Sequence, residues 1–205
     1  RPMAETVPGP STETIAAAAR KLNCTVIVGL LERAGDGLFN AAAVIDPKGV
    51  RASYRKLHLP CLGIDWHNTP GDKPFEVFET AHGKIGINIC FDASFPEAGR
   101  VVKLLGAQLL AIPTNWPVGS DIWQHTPHVR AMENHFFVVA ANRVGEERGF
   151  RFAGHSIIVD CMGNVLAEAG ESEETILYAD VDLAAADDNH IVRIPGKWEI
   201  DRIAA

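Results

Sequence analysis

The stretch 83–97, GKIGINICFDASFPE, decides how the surrounding chain folds. Ile85, Ile87 and Ile89 alternate with Gly86, Asn88 and Cys90, the period-2 pattern of a strand with one strongly apolar face. Cys90 stands where that pattern ends. Ser94 and Glu97 then have the S-x-x-E spacing of a capping box, and Pro96 lies in a first turn, where a missing N–H costs nothing. The spacing predicts a helix that starts near Phe95 and runs through Val101, Val102, Leu104 and Leu105 to Gly106. Leu109–Leu110–Ala111–Ile112 reads as the next buried strand, which completes a β-α-β unit. Ligands collect in the crevice beyond the carboxyl ends of such strands, and a nearby helix N-terminus favours a thiolate. Cys90 is therefore a candidate nucleophile.

Outward from this unit the chain keeps alternating helix and strand. Ser11 or Thr12 can cap a helix through Ile15 to Leu22, ahead of the β-branched strand Thr25–Val28. Ala41 to Ile45 and Val50 to Tyr54 read as two strands joined by the turn Asp46-Pro47-Lys48-Gly49. Cys61 to Lys73 is a loop. Beyond the cysteine unit come a polar loop around Gly119, a helix from Asp121 to His135 and the buried strand Phe136 to Ala141. Strands are expected at Ser156–Asp160, Val165–Glu168 and Ile176–Val181, the first two joined by a Gly163-Asn164 turn. The mixture suggests α/β layers with added hairpins rather than a simple doubly wound sheet.

With 205 residues, 47% of them hydrophobic, the chain suits one well-buried domain, residues 1–205. A net charge of −7 without runs of Lys or Arg argues against nucleic acid or an anionic membrane as partner. No segment approaches the roughly 18 apolar residues of a spanning helix. Cys24, Cys61, Cys90 and Cys161 form no C-x-x-C pair, so neither a zinc ribbon nor a disulfide framework is indicated, and a reducing cytoplasm fits best. The chain begins with Arg1 in what reads as a loop already in progress, so its N-terminus is expected to be incomplete.

Lys56, in YRKLHLP, lies at the end of the Val50–Tyr54 strand. A lone lysine is most often a solvated charge, but beside a thiol a fixed ammonium can stabilise the oxyanion of a tetrahedral intermediate. Lys103, on the predicted helix, serves as the ordinary lysine for comparison. His125 and His128 sit three apart without an acidic or thiol ligand in a known pattern, so no metal site is expected. His58 gains interest only from its neighbour Lys56. Glu133 and Asn134 either cap and solvate a helix end or act as a buried carboxylate and amide that hold the active-site loops.

These pieces, in this order, resemble the carbon-nitrogen hydrolase family of the nitrilase superfamily. YRKLHLP resembles its lysine motif and GKIGINICFDASFPE its cysteine motif, and PTNWP (113–117), RAMENHFFVVAANRVGEERG (130–149) and FAGHSIIVDCMGNVLAEAG (152–170) resemble the segments that follow. The resemblance implies a four-layer α-β-β-α sandwich, here without its N-terminal strand and helix region, which usually pairs into dimers or larger homo-oligomers. It also implies a Glu-Lys-Cys mechanism that needs no cofactor: a thiolate attacks a carbonyl or nitrile carbon, ammonia leaves and water hydrolyses the thioester. Cys90 takes the nucleophile's place and Lys56 the lysine's, and Lys56 with the Phe91 N–H would hold the oxyanion. Asp65, Asn115, Trp116 and Glu133 are carried along as supporting or pocket residues.

The family's base glutamate lies in a P-E motif ahead of the segment resembling AETVPGPS, so the 205 residues alone are expected to be inactive on an ordinary amide. Asp65 is the single acid in CLGIDWHNT, the loop where many members carry a second glutamate. Cys90-Phe91-Asp92 resembles the amidase and carbamoylase branches, whereas true nitrilases tend to have Cys-Trp-Glu. Ala93 and Ser94 stand where hydrolases of N-carbamoyl-D-amino acids place arginines. The expected substrate is an aliphatic amide or an N-carbamoyl amine. Two other readings compete: a Cys-His thiol hydrolase with His155 or His58 as base, and a non-catalytic relative that keeps the sandwich as a binding or assembly module.

Overall fold

The computed structural model describes residues 3–119 and 122–188 in full and the backbone of residues 190–194 and 198–201. It opens with helix α1 (Pro10–Leu22) and a meander of β1 (Val26–Ala34), β2 (Gly37–Asp46) and β3 (Gly49–Arg55), paired antiparallel in the order β1-β2-β3. A second sheet collects β4 (Val77–Thr80), β5 (Gly83–Ile87), β6 (Leu109–Thr114), β7 (Phe137–Asn142), β10 (Ile157–Val159) and β11 (Val165–Glu168). Its order is β11-β10-β7-β6-β5-β4, with β5, β6 and β7 parallel at the centre and antiparallel strands on both sides. Helices α2 (Pro96–Leu104) and α3 (Ile122–Asn134) make the crossovers. Two small ribbons, β8 (Glu146–Glu147) with β9 (Phe150–Arg151) and β12 (His190–Ile194) with β13 (Trp198–Asp201), lie outside the two sheets.

Alternation of side chains sorts the apolar residues into three interfaces. On β2, Ala43 and Ile45 meet Ala16 and Ala19 of α1, whereas Ala42 and Val44 point the other way. There they meet Ile85, Ile87, Ile89 and Ala111 of the six-stranded sheet. The opposite face of that sheet packs Leu110, Ile112 and Val138 against Val102 of α2 and Trp123 and Ala131 of α3. The layers are therefore helix, sheet, sheet, helix, the α-β-β-α arrangement expected from the resemblance.

The cysteine unit forms as predicted in outline and differs at its turn. The strand ends at Ile87, and residues Cys90–Ser94 form a 3-10 turn before α2 begins. The Ser94–Glu97 capping box does not form: Phe95 is the cap residue, and the Ser94 hydroxyl is buried without a partner. Asp92 instead accepts the Ile89 N–H within the turn that precedes the helix. Other boundaries shift modestly. The first helix starts at Pro10, because proline at the first helical position is pre-set for it. Residues 176–181, read as a strand, form no regular element, and Ile176 and Tyr178 are exposed. Asp121 lies outside the described residues, and Lys103 is no ordinary surface lysine. It is buried, and its ammonium donates to the carbonyls of His135 and Ala186.

Gly86 sets how closely α2 approaches the sheet. A Cβ at this position would lie 2.8 Å from two side-chain carbons of Val102. Gly86→Ala is expected to destabilise the protein by about 1–3 kcal/mol through overpacking. Adding Val102→Ala should recover part of that loss in a denaturant-melting cycle; additive losses would show that the contact is not what excludes the methyl group.

Candidate active site

The carboxyl ends of the parallel strands β5, β6 and β7 define one edge of the sheet, the edge at which a crevice for ligands is expected. Cys90 lies three residues past the end of β5. It is partly buried, packs against apolar residues on both sides of the sheet, and has a φ of 50°. A left-handed backbone in a residue with a side chain costs of order 1–3 kcal/mol, and it persists only where the surroundings enforce it. The sharp turn that results presents the thiol at the strand end. Asn115 is exposed just beyond β6, and Trp116 is buried, with its N–H donating to Asn142 Oδ1 at 2.8 Å at the end of β7.

Lys56 follows directly on β3 and is 2% exposed. A buried ammonium needs a partner, and Lys56 Nζ donates to Asp65 Oδ2 at 2.5 Å. Asp65 is itself buried, in a short turn at Gly63–His67, and its Oδ1 accepts from Asn40 Nδ2 at 2.9 Å and Asn68 Nδ2 at 3.1 Å. The single acid in its loop is thus the ion-pair partner of the lysine.

Asp92 joins the lysine segment to the cysteine segment. Its carboxylate has no exposed surface. Oδ2 accepts the Tyr54 hydroxyl at 2.8 Å and the Ile89 N–H at 3.0 Å, and Oδ1 accepts the His58 N–H at 2.9 Å with His58 Nδ1 also at 2.9 Å. The ring contact requires the proton on Nδ1. Burial and, next, the negative charge of Asp92 push the Tyr54 hydroxyl far above the usual phenol range. The His58 ring stacks on Phe95 at 4.1 Å between centroids, which places it against the entry to α2.

Glu133 reaches the cysteine turn through Arg130. The buried Arg130 donates from Nε to the Ala93 carbonyl at 2.9 Å and from Nη2 to the Ser94 carbonyl at 3.3 Å, while Nη1 pairs with Glu133 Oε1 at 2.5 Å. Asn134 is buried and returns a hydrogen bond to the Arg130 carbonyl. The Glu133 carboxylate, by contrast, is only partly buried and bonds to Arg130 and Asn134 rather than to the cysteine turn itself. Sequence reading missed Arg130 and Tyr54, and it took Asp92 only as a marker of subclass. Tyr54 lies two residues before Lys56 and Asp92 two after Cys90, but the contact between them spans 38 positions. His155 Nδ1 meets Glu168 Oε1 of β11 at 3.3 Å, and His58 Nδ1 meets Asp92 Oδ1 at 2.9 Å. Among the described residues no cluster of His, Cys, Asp and Glu forms a metal site, and no helix is long and apolar enough to cross a membrane.

Fold and site together define a four-layer α/β protein with a buried lysine ion pair and a strained cysteine on adjoining segments. The chain matches the carbon-nitrogen hydrolase family over residues 1–189 and belongs to it, within the nitrilase superfamily. It is 38% identical over 185 residues to a nitrilase of Pyrococcus abyssi, covering 88% of this chain and 68% of that protein. A carbon-nitrogen hydrolase of Helicobacter pylori superposes with a TM-score of 0.81 at 31% identity, covering 87% of this chain and 68% of the other. A variant amidase of Nesterenkonia, which carries the acetamide moiety of fluoroacetamide on its active-site cysteine, gives a TM-score of 0.71 at 28% identity. That match covers 79% of this chain and 63% of the amidase. The chain thus spans about two thirds of the length of its relatives.

The Tyr54 environment makes stability depend on pH. In the unfolded chain a tyrosine ionises near pH 10, whereas the folded state resists ionisation well beyond that. The contribution is therefore full below about pH 10 and is lost progressively as pH rises above it. Phenolate absorbance assigned to Tyr54, taken as the difference from a Tyr54→Phe variant, is expected to appear only with alkaline unfolding. Its appearance near pH 10 in the folded protein would contradict the burial.

Proposed function

We propose that this carbon-nitrogen hydrolase cleaves an aliphatic amide or an N-carbamoyl amine through a thioester on Cys90. The observation that carries the reading is the buried Lys56 ammonium, set between two residues whose bonds to Asp92 tie them to the turn bearing the thiol. Cys90 Sγ attacks the carbonyl carbon, the C–N bond breaks as the nitrogen takes up a proton, and water hydrolyses the thioester to a carboxylic acid and the free thiol. Lys56 and the Phe91 N–H hold the oxyanion. The hydrogen bonds of the turn itself begin with the Asp92 N–H, which leaves the Phe91 N–H outside them.

Asp65 is engaged by Lys56 and two asparagines, and Asp92 by its own donors, so neither serves as the base for the thiol. The base in this reading is the glutamate of the family's triad, and Asp65 holds Lys56 in place. Asn115 borders the pocket, and Trp116 and Glu133 support its walls. The acetamide moiety on the active-site cysteine of the Nesterenkonia amidase supports a nucleophilic cysteine at this position and room beside it for a small aliphatic amide. Cys90-Phe91-Asp92 favours an amide over a nitrile. The reading extends to residues 1–205 acting as one domain, to a homo-oligomer, and to a reducing cytoplasm in which the four free cysteines persist.

In the full-length protein, Cys90→Ala is expected to abolish turnover with the fold retained, and mass spectrometry after brief exposure to substrate should find the acyl group on Cys90. An adduct confined to Cys24, Cys61 or Cys161 would refute the assignment. Lys56→Ala should lower kcat by at least about 100-fold, the scale for loss of a preorganised oxyanion donor. Melting is followed alongside, because the change strands the buried Asp65 carboxylate. The exposed Lys21 replaces Lys103 as the control.

Because Ala93 and Ser94 bring no cation to the cysteine turn, kcat/KM should favour neutral amides and carbamoyl amines over N-carbamoyl amino acids. The opposite ranking would mean that an arginine from elsewhere reaches the pocket.

A further inference from the structure

Tyr54, Lys56 and His58 occupy alternate positions at the end of β3, and the outer two turn to Asp92 while the middle one turns to Asp65. One donor, the Ile89 N–H, is enough to close the turn that carries Cys90. The three other donors of Asp92 all belong to the residues that flank Lys56. We propose that Asp92 is a positioning residue for the reaction, whose single carboxylate fixes the Lys56 ammonium relative to the Cys90 thiol.

The proposal rests on the amide-hydrolysis reading, in which that ammonium and that thiol act on the same carbonyl group. The lysine follows a strand of the three-stranded sheet and the thiol follows a strand of the six-stranded one, and the contact between those sheets is apolar. Apolar contact is non-directional, so it does not fix the distance between two polar atoms at its margin. Four hydrogen bonds to one buried carboxylate do. The carboxylate is held in turn by its surroundings: the His58 ring lies between Phe95 at 4.1 Å and Phe75 at 6.0 Å, and Tyr54 stacks on Phe75 at 5.8 Å. A misplacement of about 1 Å at a reacting centre can cost of order 100-fold in rate, so a group that touches no substrate can still govern kcat.

The test compares the parent with Asp92→Asn and Tyr54→Phe in the full-length protein, by kcat and KM on a neutral aliphatic amide. It also follows the pH dependence of Cys90 alkylation by iodoacetamide, read at the Cys90 peptide by mass spectrometry. Asp92→Asn leaves at least one backbone donor facing an amide N–H and is expected to lower kcat by about 100-fold with KM little changed. Tyr54→Phe removes one hydrogen bond and no charge, and about a tenfold loss in kcat is expected on the same grounds.

The titratable groups that face this region are Lys56, Asp65, His58, Tyr54 and Asp92 itself. Loss of the Asp92 negative charge alone would move the alkylation profile to lower pH, whereas loss of the lysine's placement beside the thiol moves it to higher pH. An upward movement in both variants supports positioning. Parent-like kcat in a folded Asp92→Asn variant, or a downward movement of its profile, overturns it. If Asp92→Asn does not fold, Tyr54→Phe decides alone, and a parent-like kcat and profile there overturns the proposal. If the parent hydrolyses no amide, the amidase reading falls by itself, and the direction of the Tyr54→Phe alkylation profile still decides the role of Asp92.

Discussion

A carboxylate sealed from water has to be met by donors, and Asp92 takes all of its recorded donors from the segments on either side of the sheet-to-sheet contact. An unmet buried charge costs several kcal/mol, so the two sheets have few alignments in which this residue is tolerated. The hydrophobic contact between Ala42, Val44, Ile85, Ile87 and Ile89 supplies attraction without direction. Asp92 supplies the direction. One polar residue, placed just past the end of a buried strand, thereby selects the relative placement of layers whose apolar surfaces would accept several.

The same division recurs around the site. Arg130 secures the far end of the cysteine turn by its Ala93 and Ser94 carbonyls, and Glu133 neutralises it. Asp65 secures Lys56 and is itself held by Asn40 and Asn68. Each buried charge has a partner, and each partner is anchored to a regular element or a short turn. Preorganised charge of this kind does not need to rearrange as an oxyanion forms, which is the condition for electrostatic stabilisation in a hydrolase. Gly86 contributes on the helix side by admitting Val102 and letting α2 pack closely on the sheet.

Much of this was legible in the order of the residues. The alternation of Ile85, Ile87 and Ile89, followed by Pro96, located the strand, the turn and the helix, because period and proline geometry act locally. The lysine and cysteine motifs named the chemical groups. The pairings that build the site were not legible, since Tyr54 with Asp92 and Arg130 with Ala93 join residues 38 and 37 positions apart, and one sequence carries no record of such contacts. Ser94 misled because S-x-x-E is a local pattern: the helix takes Phe95, one residue later, as its cap, and the Ser94 hydroxyl is left buried without a partner. Residues 176–181 have a strand's composition, but composition does not provide a neighbour to pair with.

The indole rings of Trp116 and Trp123 lie 5.5 Å apart and within 26° of parallel, one on the loop after β6 and the other on α3. Trp123 Nε1 donates to the Gly154 carbonyl, which holds that ring, while Trp116 is held by burial against it and by its backbone N–H, which donates to Asn142. Two chromophores so close and so firmly oriented share their excited states, which gives a near-ultraviolet circular dichroism signal that a pair of independently tumbling indoles would lack. The exposed Trp66, on the turn that carries Asp65, instead emits into solvent. The chain thus has native optical reporters on the loop after β6, on α3 and on the turn that carries Asp65, and they respond to the geometry there without any label.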